Sequence, residues 1–445
     1  MNISPLKTIL KTSLPAVIDL ASQTIMWTIE AILIGKISAG ALAGHSMAIQ
    51  VILVFFAILL TFVVGASLII NRHLGAKEYY QANHIFGQAM MLGVIMAIIF
   101  PLIWYFGAVH LFKFIKEAGE ASAQAAGVTY MRTVAIFAPL FISSFIALGI
   151  MRAVGDTRYS MIVNLSINGL NLVLAPLLIF GLFGLPRLEV KGAALAIGIS
   201  HSVGFVVTLI LLRSHRCQLF LSFREMAVPN WQSFKQLFKV GLPTTIEQLT
   251  WAIGQLVVTS YAGSIYVTVL TTHAIFMRIQ AILSMVYMGF SLAAMSNMGK
   301  NLGAEDNVLA EKMARTAHWV MAIFVMFIVL VMIFFSRAMI QVFTTDPATV
   351  ALGSKAMIVF ALAQIPKAMN NVLAGNLRGI GELQWLMWTT IIFVIIFEIG
   401  INYWVVFGLG WSIYGLWAVQ FTDESIRFSM SYIRFHRGSW RVKKS

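Results

Sequence analysis

The stretch Leu14-Pro15-Ala16-Val17-Ile18-Asp19 returns later in the chain as Leu242-Pro243-Thr244-Thr245-Ile246-Glu247. The echo holds its register: Pro15 and Pro243, His45 and His273, and Gly75 and Gly303 are each 228 residues apart. A further pair, Met151-Arg152-Ala153-Val154-Gly155-Asp156 and Leu377-Arg378-Gly379-Ile380-Gly381-Glu382, is offset by 226. The chain therefore consists of two copies of one half, and each copy sets an acid early in its first apolar helix. Internal repeats with acids at membrane depth are an organisation found in secondary transporters.

Composition sets the solvent. Of 445 residues, 59% are hydrophobic and 11% charged, and mean hydropathy is +0.86. A water-soluble domain cannot bury that much apolar surface, so the chain reads as an all-α polytopic membrane protein. The single cysteine, Cys217, excludes a disulfide framework and any multi-thiolate metal site. The first apolar stretch, from about Leu14 to Ile34, shows no cleavage pattern and is expected to remain as a span. Hydropathy predicts twelve spans, at residues 14–35, 43–70, 86–105, 128–150, 160–182, 192–212, 241–262, 269–298, 316–336, 353–376, 385–407 and 412–433. Six belong to each half. An even number returns the chain to its starting side, so the halves are expected to be pseudo-symmetric lobes of the same orientation. The predicted divisions are an N-lobe at 1–212, a cytoplasmic linker at 213–239, a C-lobe at 240–433 and a basic tail at 434–445. Within the linker, Trp231–Phe238 reads as a short surface helix.

The net charge of +14 suggests nucleic acid until the charges are placed. Twenty of the 31 Lys and Arg residues fall in the N-terminus, the even-numbered loops and the tail; seven, among them Lys113 and Lys116, fall in the opposite loops. That asymmetry puts both termini in the cytoplasm and makes the lipid bilayer, not a polynucleotide, the expected partner. The tail, with Arg434, Arg437, Arg441, Lys443 and Lys444, is expected to rest on anionic headgroups.

Ten ionisable residues remain inside spans: Asp19, Glu30, Glu247, Glu398, Asp423 and Glu424, against Arg132, Arg278, Lys367 and Arg427. Such groups are costly in hydrocarbon and usually functional. Steps of four put Asp19, Gln23 and Trp27 on one face of the first span, and Glu30 shares roughly that face about 16 Å further along the axis. A desolvated carboxyl favours its neutral form, so it can load a proton on one side of a membrane and release it on the other. The competing reading is helix-locking ion pairs: Glu247 with Arg278, and Asp423 or Glu424 with Arg427. Asn164, Asn168 and Asn171 on the fifth span, and Asn370 and Asn371 on the tenth, could serve a proton network or bind helices together. His45 and His273 read as structural hydrogen-bonding residues, with a proton relay as the alternative. The chain has no GxxxxGK[ST], HExxH or DDxxD motif, so it is expected to be no enzyme, to hold no metal or cofactor, and to draw its energy from an ion gradient.

These stretches resemble the MATE (multidrug and toxic compound extrusion) family over nearly the whole length. The resemblance rests on Leu14-Pro15, Ser22-Gln23-Thr24, Glu30 to Gly35, Ala43-Gly44-His45, Leu74-Gly75-Ala76 and Met151 to Arg158. It continues through Gly192-Ala193-Ala194, Gly241-Leu242-Pro243, Glu247-Gln248, Leu377-Arg378-Gly379 and Arg434 to Trp440. It implies two six-helix lobes forming a V, and efflux of small amphipathic, often cationic compounds against inward flow of protons or sodium. By position, Glu30 stands where the family has its first-helix coupling Asp, and Asn171 where it has a fifth-helix Asn. The chain departs from the family pattern at Ala175, Ile197 and Lys367, in places of an Asp, a Thr and an Asp, and at Trp251, where many members carry the seventh-helix acid. Fewer oxygens suit a bare sodium ion poorly, so the coupling ion is expected to be H+ rather than Na+. The residues expected to couple the ion are Glu30, Asp19, Glu247, Asn171 and Lys367, with Lys367 a candidate counter-ion to Glu247. Gln23, Trp27, Asn168, Arg278, Asn370 and Asn371 are expected to line the substrate cleft. The expected setting is a bacterial-type inner membrane, with the protein a monomer. The alternative is a flippase for a lipid-linked precursor, which would gather several cations around a pyrophosphate.

Overall fold

The computed structural model describes residues 4–114, 121–214, 216–438 and 440. Lys116, Arg441, Lys443 and Lys444, which entered the charge and tail readings, lie outside the described residues. The first repeat forms six helices: α1 (Pro5–Gly35), α2 (Ala39–Gly75), α3 (Tyr79–Phe114), α4 (Ala121–Ala153), α5 (Thr157–Phe180) and α6 (Glu189–Arg213). A short helix, α7 (Phe223–Ala227), lies in the linker. The second repeat opens with α8 (Trp231–Ile265), α9 (Val267–Gly303) and α10 (Asn307–Phe334). The short α11 (Ser336–Gln341) precedes α12 (Pro347–Ile380) and α13 (Leu383–Phe393), which runs on through π-helical turns at Val394–Ile401 and Trp404–Gly408. The chain closes with α14 (Ile413–His436). Each of the twelve predicted spans falls on one of these long helices, six per repeat.

Among the described residues, ten helices are long and apolar enough to cross a membrane. The remaining two spans, α8 and α14, are 35 and 24 residues long but carry the charged positions Glu247 and Asp423, Glu424 and Arg427. Length comes from apolar content, because a helix satisfies its own backbone in hydrocarbon. Large apolar side chains such as Phe106, Ile136, Ile323 and Phe334 stand outward, as lipid contact requires. Prolines inside α1, α3, α4, α5, α8 and α12 are tolerated because packed neighbours re-satisfy the freed carbonyls.

The chain forms two compact units. One runs from Ile18 to Gly241; the other joins Met1–Val17 to Leu242–Ser445. In the first, α4 is central, packing on α2, α3 and α6, while α5 packs on α6. In the second, α12 is central, packing on α9, α10 and α14. These central helices are repeat mates, and both end in the Arg-containing motifs at Arg152 and Arg378.

The linker differs from expectation. Trp231–Phe238 is not a separate surface helix; it is the first two turns of α8, with Phe234 and Leu237 buried in the core of the first unit. Its hydrophobic spacing continues directly into the seventh span, which a charge-based boundary at Lys239 obscured. The approach is close: a Cβ on Gly65 of α2 would lie 2.5 Å from the Leu237 carbonyl oxygen and 3.2 Å from the Gly241 nitrogen. Upstream, the linker is tied to α3. Glu225 accepts from Tyr80 at 3.1 Å and contacts the His84 ring at 2.6 Å, and Gln88 donates to the carbonyls of Glu225 and Val228. The His84 contact holds the Glu225 carboxyl below the usual range. Cys217 lies half-buried here, and burial together with the Asp156 carboxylate pushes its thiol up to about 12.

Two outcomes test this packing. Gly65→Val should overpack the α2–α8 crossing and cost about 1–3 kcal/mol, read as a lower melting temperature in detergent. Because the thiolate is the reactive form, maleimide should label Cys217 at neutral pH on the order of a hundredfold more slowly than in the urea-unfolded chain.

Candidate functional site

The repeat words carry more than orientation. Asp19 is buried, with 1% of its side chain exposed, and its Oδ2 meets Arg152 Nε at 3.2 Å. Ser160 on α5 donates to the same Oδ2 at 2.8 Å. In the other unit, Glu247 Oε1 meets Arg378 Nη2 at 2.6 Å. Asp19 and Glu247 are repeat mates, and so are Arg152 and Arg378. The structure therefore builds one ion pair twice, between the first and fourth helices of each repeat. This corrects two expectations. Glu247 pairs with Arg378, not Arg278, which stands exposed on α9. Arg152 and Arg378 are not loop cations; they lie in the last turns of α4 and α12, and their side chains are 14% and 16% exposed.

Around Asp19, Ser22 donates to the Asp19 carbonyl, and Asn168 Nδ2 donates to Ser22 Oγ at 2.8 Å. Gln23 and Trp27 are half-buried. Asn171 is buried, and its Nδ2 has no hydrogen-bond partner among the described residues.

Glu30 has different company. One per cent of it is exposed, and no Lys or Arg is paired with it among the described residues. Tyr130 of α4 donates to Oε1 at 3.1 Å, and His45 Nε2 stands 3.6 Å from the same oxygen. The His45 and Tyr130 rings meet edge to face, 4.8 Å between centroids. Oε2 has no partner among the described residues. The helix face predicted to hold Asp19 and Glu30 therefore leads to two separate environments, one saturated by a guanidinium and one bounded by a phenol and an imidazole. Tyr130 was not foreseen: nothing in its sequence neighbourhood marks it, and only the α1–α4 packing brings it to Glu30. Ala175 and Ile197, where the family pattern has oxygen ligands, are buried and apolar.

The second unit contains a cavity of about 270 Å³. Glu247, Gln248 and Trp251 line it from α8, Lys367, Asn370, Asn371 and Arg378 from α12, Thr389 and Thr390 from α13, and Glu424 and Arg427 from α14. Of the expected cleft residues, Asn370 and Asn371 line this cavity and Arg278 does not; Gln23, Trp27 and Asn168 belong to the other unit. Lys367 is the counter-ion of Glu424, at 3.7 Å, rather than of Glu247, and its ammonium stands 5.9 Å from the Trp251 ring centroid. Asn370 donates to Glu424 Oε2 at 2.8 Å. Arg427 pairs with Asp423 at 2.5 Å, one turn away on α14. His273 does not reproduce the role of His45: its Nε2 lies 3.4 Å from Thr259 and its ring packs near Trp417.

A bundle of membrane-length helices, duplicated in sequence and holding buried acids and a polar cavity, defines a multi-pass membrane transporter. The family model MatE matches this chain twice, at residues 15–177 and 243–404. The chain belongs to the MATE family of transporters. It is 25% identical over 441 residues to a probable multidrug resistance protein NorM of Thermotoga maritima, covering 98% of this chain and 93% of that one. It is 25% identical to the multidrug export protein MepA of Staphylococcus aureus, over 84% of this chain and 82% of the other. Among solved structures, a MOP superfamily transporter from Pyrococcus furiosus, described as having a binding pocket of reversed polarity, matches with a TM-score of 0.89. That match is at 20% identity and covers 99% and 97% of the two chains. A MATE family transporter in an outward-facing conformation matches at 0.87 and 21% identity, over 100% and 98%.

The duplicated ion pair has a checkable energetic signature. Arg152→Gln strands a buried carboxylate and should destabilise by about 3–5 kcal/mol, whereas adding Asp19→Asn should restore much of the loss. Thermal melting of the purified single and double variants reads both effects, and Arg378→Gln with Glu247→Gln should repeat the pattern.

Proposed function

We propose that this chain is a proton-driven exporter of small amphipathic and cationic compounds, working by antiport in the plasma membrane with both termini cytoplasmic. The observation that carries the reading is Glu30: a buried carboxyl whose contacts are a hydroxyl donor and an imidazole rather than a fixed cation. With no fixed cation to hold its charge, such a group can exchange a proton when hydration changes or a cation arrives. A proton loaded on Glu30 is retained while the site is dry. An organic cation nearby favours the carboxylate and displaces that proton. Exchange of one for the other across alternating access couples export to the proton gradient.

The printed names of the NorM and MepA relatives support a multidrug cargo. Protons are preferred over sodium because Ala175 and Ile197 offer no oxygen ligands beside α5 and α6, and because Lys367 engages Glu424 where the family pattern has an acid. The expected monomer keeps the pathway within one chain. A lipid-pyrophosphate flippase would need cations free for the phosphates, whereas the three that line the cavity, Lys367, Arg378 and Arg427, each engage a carboxyl, and Arg132 donates to the Tyr105 carbonyl.

Ethidium transport by the reconstituted protein tests the reading. A pH gradient alone should drive it, and Glu30→Gln should reduce it to roughly the level of empty liposomes while leaving insertion and melting unchanged. Drive by a sodium gradient alone would overturn proton coupling.

A further inference from the structure

The second repeat has no counterpart of Glu30. The step of 228 residues carries Glu30 onto Val258, a buried aliphatic side chain. That lobe nevertheless gathers a cluster of four buried or partly buried carboxyls, Glu247, Glu398, Asp423 and Glu424, and three cations, Lys367, Arg378 and Arg427. The cations are assigned one to one: Arg378 to Glu247, Lys367 to Glu424 and Arg427 to Asp423. Glu398 is left over. It is 1% exposed and has no cation within ion-pair distance among the described residues.

Its immediate surroundings are neutral. Gln255 of α8 donates to Oε1 at 3.3 Å, and Oε2 has no hydrogen-bond partner among the described residues. Oε2 sits against Gly254, where a Cβ would collide with it, so a glycine is what lets the carboxyl lie flat on α8. The charged groups that face it at longer range are Asp423, Glu424 and Arg427 of α14 and Lys367 of α12. From α8, Tyr261 also reaches this stretch, donating to the Ile399 carbonyl at 3.2 Å.

The backbone is unusual at the same place. Glu398 lies in the π-helical stretch Val394–Ile401, and π turns inside helices are frequent at functional sites. The carbonyls such a stretch frees are taken up by side chains: Asn402 Nδ2 donates to the Glu398 carbonyl at 3.2 Å, and Tyr261 to that of Ile399. The position is also repeat-related to the first lobe. The step of 226 that carries Arg152 onto Arg378 carries Asn171 onto Phe397, one residue from Glu398.

We propose that Glu398 is a second proton-binding site, the group of this lobe that loads and releases a proton, as Glu30 does in the other. A fourth carboxylate beside three already matched cations would leave an uncompensated charge in a dry interior, whereas a neutral carboxyl needs only the amide it has. Losing the proton creates a negative charge that Lys367 and Arg427 can answer only by loosening their hold on Glu424 and Asp423. Glu424 and those two cations line the cavity, so proton loss at Glu398 alters the electrostatics the cavity offers to a cation. This rests on the antiport reading above for its role in transport, but the protonation itself does not.

Infrared spectroscopy of the purified full-length protein is the direct test. The carbonyl stretch of a protonated carboxyl should be present in the wild type, diminished in Glu398→Gln and restored in Glu398→Asp. A band unchanged by Glu398→Gln overturns the proposal. Should that variant misfold, dicyclohexylcarbodiimide, which attacks protonated carboxyls in apolar sites, replaces it on wild-type protein. Peptide mapping should then find Glu398 modified, less so as pH rises, with Glu247, Asp423 and Glu424 spared. No adduct at Glu398 at any pH also overturns it. A final count measures protons released into weak buffer on ethidium addition: Glu30→Gln and Glu398→Gln should each lose part of the release and the double variant all of it. Release lost entirely in Glu30→Gln alone would confine coupling to the first lobe. Wild-type protein that shows the Glu398 carboxyl signal but no pH-driven efflux would sink the antiport reading and leave the second site standing.

Discussion

A charge carried into the apolar interior of this protein has to be answered there, and how each is answered separates framework from function. The framework answer is the acid–arginine pair built once in each repeat: Asp19 with Arg152, Glu247 with Arg378. Each pair ties the first helix of a repeat to its central fourth helix, α4 or α12, on which most of the remaining packing depends. An uncompensated buried charge is costly enough that neither partner can change alone. That coupling gives a physical reason for acid and arginine to stand together at matching places in both halves.

Against that framework, the span carboxyls Glu30 and Glu398 stand apart because no Lys or Arg among the described residues lies within ion-pair distance of them. Glu30 is bounded by Tyr130 and His45, and Glu398 by Gln255 and a π-helical turn. The difference is chemical. A carboxylate locked to a guanidinium in a dry site keeps its charge through any cycle that leaves the pair intact. A carboxyl held by a hydroxyl, an imidazole or an amide can exist in either form, and which form it takes depends on what else is nearby. The residues singled out by burial alone thus divide into two kinds once their neighbours are known.

Much of this was readable in the chain. The twelve spans follow from apolar runs longer than hydrocarbon is thick, and the duplicated words at Pro15 and Pro243 announce two equivalent halves. What could not be read was pairing across helices. Arg152 and Arg378 look like loop residues because the apolar runs end near 150 and 376, yet the helices continue for a further turn and fold both side chains inward. Arg278 looks like the partner of Glu247 because it is close in sequence; the true partner is 131 residues away. Tyr130 has no flanking signal at all. Glu398 is visible as an ionisable residue inside a span, but its neighbours are not, since a π stretch breaks the helical spacing from which a face would be inferred. The Trp231 segment failed for a simpler reason: a boundary drawn at a lysine cut a helix that packing carries straight through.

Duplication also explains where the halves were free to diverge. The ion pair constrains both copies in the same way, and it persists in both. The second acid is not so constrained: the first repeat places it on its first helix, where the second has Val258, and the second repeat places a carboxyl instead on its fifth helix, beside the repeat mate of Asn171. His45 reaches Glu30, whereas His273, at the matching place, lies near Thr259 and Trp417 and serves packing. A fold that needs one buried pair per half, and tolerates the remaining acid wherever a neutral neighbour can be found, can keep its architecture while changing which helix carries that acid. Here the constraint and the freedom fall on different residues of the same repeat, and the four acids record both.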